Sequence, residues 1–253
     1  MPRIFVAGVF ALAVTVSPLA ASASDASMPE IVARSIEAHG GDAFLHSTVR
    51  YELCSKSGCS QVIVERDGGL FTHDVTTPSD DGSLRIEATN DTVRIWRGGV
   101  EQAIEPGDAQ RWRDQATARI YHVFLPFKLG DPSVRFEDQG LETWSDGPLH
   151  RIAVRFEPGS STDAEDQMLF WFDPESAHLV QFAYSYHDPD GLRFRRLHNP
   201  RRVGGLLFHD QENLGWDGPG LTIDALGPDT VDRLREVSSV DVRSLEVEAS
   251  QAP

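Results

Sequence analysis

DAQRWRDQATARIYHVFLPFKLGDP, residues 108–132, interrupts an otherwise strand-like chain and decides the architecture. Asp108 is placed to cap a helix. Ala109, Trp112, Ala116, Ile120, Val123, Phe124 and Phe127 recur at steps of three and four, which lines them along one helical face. Arg111, Asp114, Gln115 and Ala118 fall opposite, and Arg119 flanks the stripe. Arg113 lies near the stripe and has to snorkel outward. Pro126 bends or ends the helix, and Gly130-Asp131-Pro132 closes the segment.

On both sides the texture is short strand-like runs. Upstream these are 49–53, 61–65, 70–75, 84–88 and 92–96, with turns at Asp67-Gly68-Gly69 and Asp80-Asp81-Gly82. Downstream they are 134–136, 141–144, 150–156, 167–172, 179–187, 192–197 and 203–211, with a closing strand over 240–247. Asp188-Pro189-Asp190-Gly191 reads as a hairpin turn, and Gly215 to Gly220 as a Gly/Pro-rich loop. Strands this close, with no helices between them, form an antiparallel meander. A lone amphipathic helix inside a meander must bury its stripe on the sheet, as a plug or as a lid. A second helix is expected over Met28–His39, with Ser27 as N-cap, Glu30 completing a capping box, and Met28, Ile31, Val32 and Ile36 as its stripe. His39 precedes Gly40-Gly41 and reads as a helix-terminal His rather than a metal ligand. The expected fold class is α+β, mainly β: an antiparallel, unclosed barrel or half-barrel with an amino-terminal helix and a central lid or plug.

One face of the later strands is aromatic. Alternation puts Met168, Phe170 and Phe172 together, then Val180, Phe182, Tyr184 and Tyr186 on the next strand, continued by Leu192 and Phe194. Gln181, Ser185 and His187 turn the other way, toward solvent. Trp112, Ile120, Phe124 and Phe127 are placed to cover this aromatic face. Two outcomes fit: an ordinary core, or a concave surface that takes a lipophilic ligand. Five arginines, Arg193, Arg195, Arg196, Arg201 and Arg202, fall within ten residues. They either bond to the abundant acids or form a docking patch for an acidic protein or a phosphate headgroup. Arg193 and Arg195 are expected to point away from the aromatic face, and Arg196 toward its rim.

The start of the chain reads as an export signal: Arg3, an apolar run from Ile4 to Leu19, and Ala21-Ser22-Ala23. The run is short for a retained span. Residues 1–23 are therefore expected to be removed, leaving 24–253 as one domain, soluble and periplasmic or secreted. Losing Arg3 takes the net charge from −16 to −17, which argues against nucleic acid as a partner. Cys54 and Cys59 flank a four-residue, Gly-containing turn between strands. This predicts a disulfide that staples a hairpin, since neither a redox nor a metal spacing is present. No catalytic, metal or cofactor motif appears. His187, His198 and His209 are the histidines that neighbouring strands are placed to bring together.

Glu37-Ala38-His39-Gly40-Gly41, then the meander, then Tyr121-His122-Val123-Phe124-Leu125-Pro126-Phe127-Lys128-Leu129 and Phe170-Trp171-Phe172-Asp173-Pro174 carry a resemblance. Over residues 28–212 the chain resembles the LolA-type superfamily of exported, unclosed β-barrels with a helical lid, and within it an uncharacterised LolA-like family. The resemblance implies binding without catalysis, either of a lipophilic small molecule or of lipoprotein acyl chains, on the concave face. The other function it allows is an envelope regulatory or protein-interaction module with a filled interior. No functional residue of the superfamily maps onto this chain.

Overall fold

A computed structural model describes residues 27–80, 82–105, 107–157, 167–186, 191–217 and 220–249, with backbone alone at Tyr186 and Asp217. The expected export signal lies outside the described residues, as do His187 and most of the 188–191 turn.

Thirteen strands form one antiparallel, unclosed sheet. In chain order they are β1 (Ser47–Ser55), β2 (Gly58–Asp67), β3 (Leu70–Ser79), β4 (Gly82–Thr89), β5 (Val93–Arg97), β6 (Val100–Gln102), β7 (Val134–Trp144), β8 (Gly147–Phe156), β9 (Met168–Phe172), β10 (Leu179–Tyr186), β11 (Gly191–Val203), β12 (Leu206–Asp217) and β13 (Arg235–Ala249). Across the sheet the order runs β6-β5-β4-β3-β2-β1-β13-β12-β11-β10-β9-β8-β7. The chain thus walks outward from β1 to one edge at β6. It then crosses to the opposite edge at β7 and walks back until β13 lies beside β1. The crossing is made by α2 (Ala109–Tyr121) and a 3₁₀ turn over Phe127–Gly130. This topology explains why one amphipathic helix interrupts the meander: it links the two edges and lies over the concave face.

α1 (Glu30–His39) is shorter than expected. Pro29 occupies the capping position, and no side chain caps the helix. Proline suits a helix start because its missing N–H has no partner there anyway. Cys54 and Cys59 face each other in the β1–β2 hairpin and are disulfide-bonded, with Cα atoms 4.0 Å apart.

The core divides into three clusters. On the concave side of the first half, Tyr51, Val62, Val75, Ile86 and Ile95 form one rung across five strands. Trp112, Ala116, Ile120 and Phe124 pack on that surface. On the concave side of the second half, Ile152, Met168, Phe170, Phe172 and Phe182 are covered by α1 and by Leu125 and Leu129. A third cluster lies on the convex side. There Leu169, Trp171, Ala183, Leu192, Phe194 and Leu214 are covered by the segment that carries Leu221, Ile223, Leu226, Val231 and Leu234.

That convex layer corrects two expectations. Gln181 is buried rather than solvated. Phe194 and Leu192 also lie opposite the Phe182 face, because Phe194 pairs with Ala183 and Leu192 with Ser185. A shift of one residue in register inverts the face of every side chain on a strand, and the alternation within β10 and β11 does not mark which register the two adopt.

Candidate ligand site on the concave face

The concave surface is aromatic where the chain crosses from one half to the other. Phe44 stacks on Phe127 with ring centroids 4.2 Å apart and meets Phe124 at 5.1 Å. Phe124 reaches Tyr51 and Phe208, each at 6.0 Å. In the second half Phe182 stands 6.0 Å from Phe170, and Phe170 stands 6.4 Å from Phe172. His122 joins the halves: its ring stacks on Tyr184 at 5.2 Å and meets Phe182 at 5.3 Å, while its carbonyl accepts a 3.0 Å hydrogen bond from Gln211 Nε2. Burial, then the nearby Arg195 charge, pushes the His122 imidazole down to about 3, so the ring is neutral at pH 7.

Of the residues expected to bind, Trp112, Ile120, Phe124 and Phe127 lie with the first half, on β1–β5, and do not cover Phe170 and Phe182. Phe170, Phe172, Phe182 and Tyr184 belong to the second-half concave cluster. Tyr186 contributes only backbone to the described residues, and Phe194 lies on the convex side. α2 reaches the second half only at its last residue, Tyr121, whose hydroxyl lies 3.6 Å from Met168 Sδ, and the other contacts from this crossing come from the segment after it.

The five arginines do not form one patch. Arg195 pairs with Phe182 and Arg193 with Tyr184, so both lie on the concave face, the reverse of the expected orientation. Arg196 is on the convex side, 2.9 Å from Glu212. Arg201 bonds Asp210 at 2.8 Å and also the Val242 carbonyl, and Arg202 donates to the carbonyls of Ala38 and Gly205, both at 2.7 Å. The last three are structural struts.

Most of the buried polar atoms without partners, among the described residues, lie on the same concave face. Tyr51 Oη, Arg195 Nε, Asn213 Oδ1, Arg66 Nε and both ring nitrogens of His73 are buried with no hydrogen-bond partner among the described residues. Folded proteins leave few such groups, because each costs about 1–3 kcal/mol. Sequence reasoning missed His73 and Arg66, although both alternate in step with inward-facing Val62 and Val75.

α2 is fastened to the sheet by hydrogen bonds from two arginines. Arg119 donates to Ser60 Oγ at 2.6 Å and Thr77 Oγ1 at 3.1 Å. Arg113 donates to the Thr89 carbonyl and, at 3.4 Å, to that of Asn90. Every acceptor is neutral. The histidines group differently from expectation: His209 and His178 each place their ring 5.7 Å from that of His39. No group of three or more His, Cys, Asp or Glu suited to a metal occurs among the described residues.

Residues 89–227, more than half of the chain, match a family of unknown function, DUF6503. The chain belongs to that family. Two solved structures are similar to this DUF6503 member in fold. A LolA superfamily protein from Nitrosomonas europaea aligns with 14% identity over 88% of this chain and 93% of its own, at a TM-score of 0.53. A DUF1329 family protein from Desulfovibrio piger aligns with 9% identity over 88% of this chain and 92% of its own, at a TM-score of 0.52. The fold is therefore that of the LolA superfamily. No curated protein matches the chain.

Proposed function

We propose that this DUF6503 protein is a periplasmic binding or carrier protein for a lipophilic ligand, lipid or lipoprotein acyl chain. The ligand is held on the concave face of the half-barrel beneath α2, without catalysis. The observation that carries this reading is the construction of the α2 cover. Its apolar stripe lies on an aromatic concave surface, and its side-chain ties, from Arg113 and Arg119, end on neutral oxygens. The likeness in fold to a LolA superfamily protein supports the same reading.

The energetics are close to balance. Phe124 and Ile120 are each 1% exposed, so a ligand enters by displacing the cover. Lifting Trp112, Ile120 and Phe124 off the sheet costs roughly 2–3 kcal/mol each. Burying an acyl chain of about sixteen carbons returns about 12 kcal/mol gross, at about 0.8 per methylene. The ligand thus takes the place of the helix stripe, and the exchange needs no large net driving force.

Native mass spectrometry of the protein purified from the periplasm tests this. A discrete lipid adduct supports the reading. Arg119→Ala, which removes the ties to Ser60 and Thr77, is expected to speed uptake of a fluorescent fatty acid on the order of tenfold. A clean apo mass, with no uptake from added lipid extract by wild type or variant, overturns it in favour of a protein-interaction module.

A further inference from the structure

One end of the concave face collects four basic side chains, with Asp131 the one acid that acts on any of them. Arg66, at the end of β2, lies with its guanidinium carbon 5.2 Å from the centre of the Phe44 ring and 5.3 Å from that of Phe71. Its Nε is buried and without a partner. His73, 1% exposed, stands in a rung with Val64 and Ala88, its ring 4.5 Å from Phe71 and both its nitrogens unpartnered. Lys128 follows Phe127, which stacks on Phe44 beside the same arginine. Arg113 enters from α2, bonded to the Thr89 and Asn90 carbonyls.

These groups act on one another. After burial, the charges of Arg66, Lys128 and Arg113 hold the His73 imidazole down to about 3. Burial and then Arg66 lower the Lys128 ammonium to about 8, with Asp131 opposing. Among the described residues no carboxylate lies within ion-pair distance of Arg66, Lys128 or Arg113. The chain as a whole carries 39 acidic and 23 basic side chains, so a basic cluster without a direct ion pair is not what its composition favours. Cations taken out of water without a counter-charge lower the stability of the empty protein. Neutral His73 keeps one N–H to donate, and the guanidinium and ammonium groups add charged donors, the set that recognises a phosphate or carboxylate.

We propose that Arg66, His73, Lys128 and Arg113 form a binding site for an anionic group, the phosphate or carboxylate head of an amphiphile. Its chain runs against Phe44, Phe124 and Phe127. The chain's place rests on the function proposed above; the anion site does not. A lipid head and a free oxyanion share this chemistry, so the test separates them.

Delipidated protein is titrated calorimetrically at pH 7 with hexadecyl phosphate and hexadecanol, both below their aggregation limits, and with inorganic phosphate. Hexadecyl phosphate is expected to bind at least tenfold more tightly than hexadecanol. That preference is expected to fall below threefold in Lys128→Met and in Arg66→Gln. Because burial and Arg66 outweigh Asp131 in disfavouring the Lys128 charge, the empty Lys128→Met protein should melt at the wild-type temperature or a few degrees above it, so lost preference is not lost folding. Equal affinity for the two hexadecyl compounds overturns the anion site and leaves the lipid function standing. Inorganic phosphate binding as tightly as hexadecyl phosphate, and weakened by the same variants, keeps the site but overturns its assignment to a lipid head. Failure of all three probes to bind overturns both readings.

Discussion

In the first half of the sheet, β1–β6 bury one face under α2 and turn a lattice of charges to solvent. Arg85 there lies 2.6 Å from Asp74 and 2.8 Å from Glu87, and its guanidinium carbon lies 4.4 Å from the centre of the Trp96 ring, while Arg94 pairs with Glu101 at 2.8 Å. In the second half, β8–β12 are covered on both faces, by α1 and the 121–129 segment inside and by the 221–234 segment outside. A sheet covered twice is locked by its own core, whereas one covered by a single helix is only as closed as that helix. In the proposed function, the opening that admits a ligand therefore belongs to the first half.

A pair of tryptophans offers the strongest way to break that comparison. Trp171 is wholly buried on the convex side, between Trp144 and Phe194, with its Nε1 donating to Glu142 at 2.6 Å. Trp171→Ala is expected to cost about 4–5 kcal/mol, because little around it can collapse. Trp112→Ala, on a helix free to settle, should cost roughly 2–3 kcal/mol. Urea unfolding measures both, and equal losses would dissolve the distinction between a locked and a movable half.

Acid acts on both halves at once. Burial holds His39 of α1, and His73 of β3, at about 3. The unfolded chain titrates near 6.5, so between those values it takes up protons that the folded chain refuses. The stability from these groups is complete above about pH 6.5 and is lost as pH falls toward 3. At pH 5 each imidazole is expected to cost about 2 kcal/mol relative to pH 7. Urea titrations of wild type and His39→Gln at both pH values check this; an unchanged pH slope in the variant would exclude His39 as a source of it.

The hairpin staple is expected to matter no more than one of these imidazoles. Cys54→Ser/Cys59→Ser opens only a short ring, so it should lower stability by only about 2 kcal/mol. A larger loss in the same unfolding assay would show that the exposed first half leans on this bond more than its short ring implies.

How much of this was legible depended on whether the signal was local. The α2 stripe, the antiparallel strands and the Cys54–Cys59 pairing were readable because each is set by spacing within a few residues. The face of Phe194 was not, since it depends on the register between β10 and β11, which neither strand's own alternation carries. The convex layer was also hidden. Leu221, Ile223, Leu226 and Val231 sit in short 3₁₀ turns and loop, without helical or strand periodicity. His73 and Arg66 show how a polar residue at an inward position of an alternating strand can mark a site, a signal visible only once the strand's inner face is known.

β13 closes the sheet against β1, pairing Ser47 with Ala249 and Cys54 with Asp241. The middle seam of the sheet is therefore made by residues from the two ends of the folded domain, the pairing with the greatest separation along the chain. Closing a loop that long forfeits chain entropy before any contact rewards it, which makes such pairing slow. Until residues 235–249 arrive, β1 and β12 each lack a neighbour on one side. A chain delivered amino terminus first would hold two half-sheets with unpaired edges at its centre, and its last strand would join them.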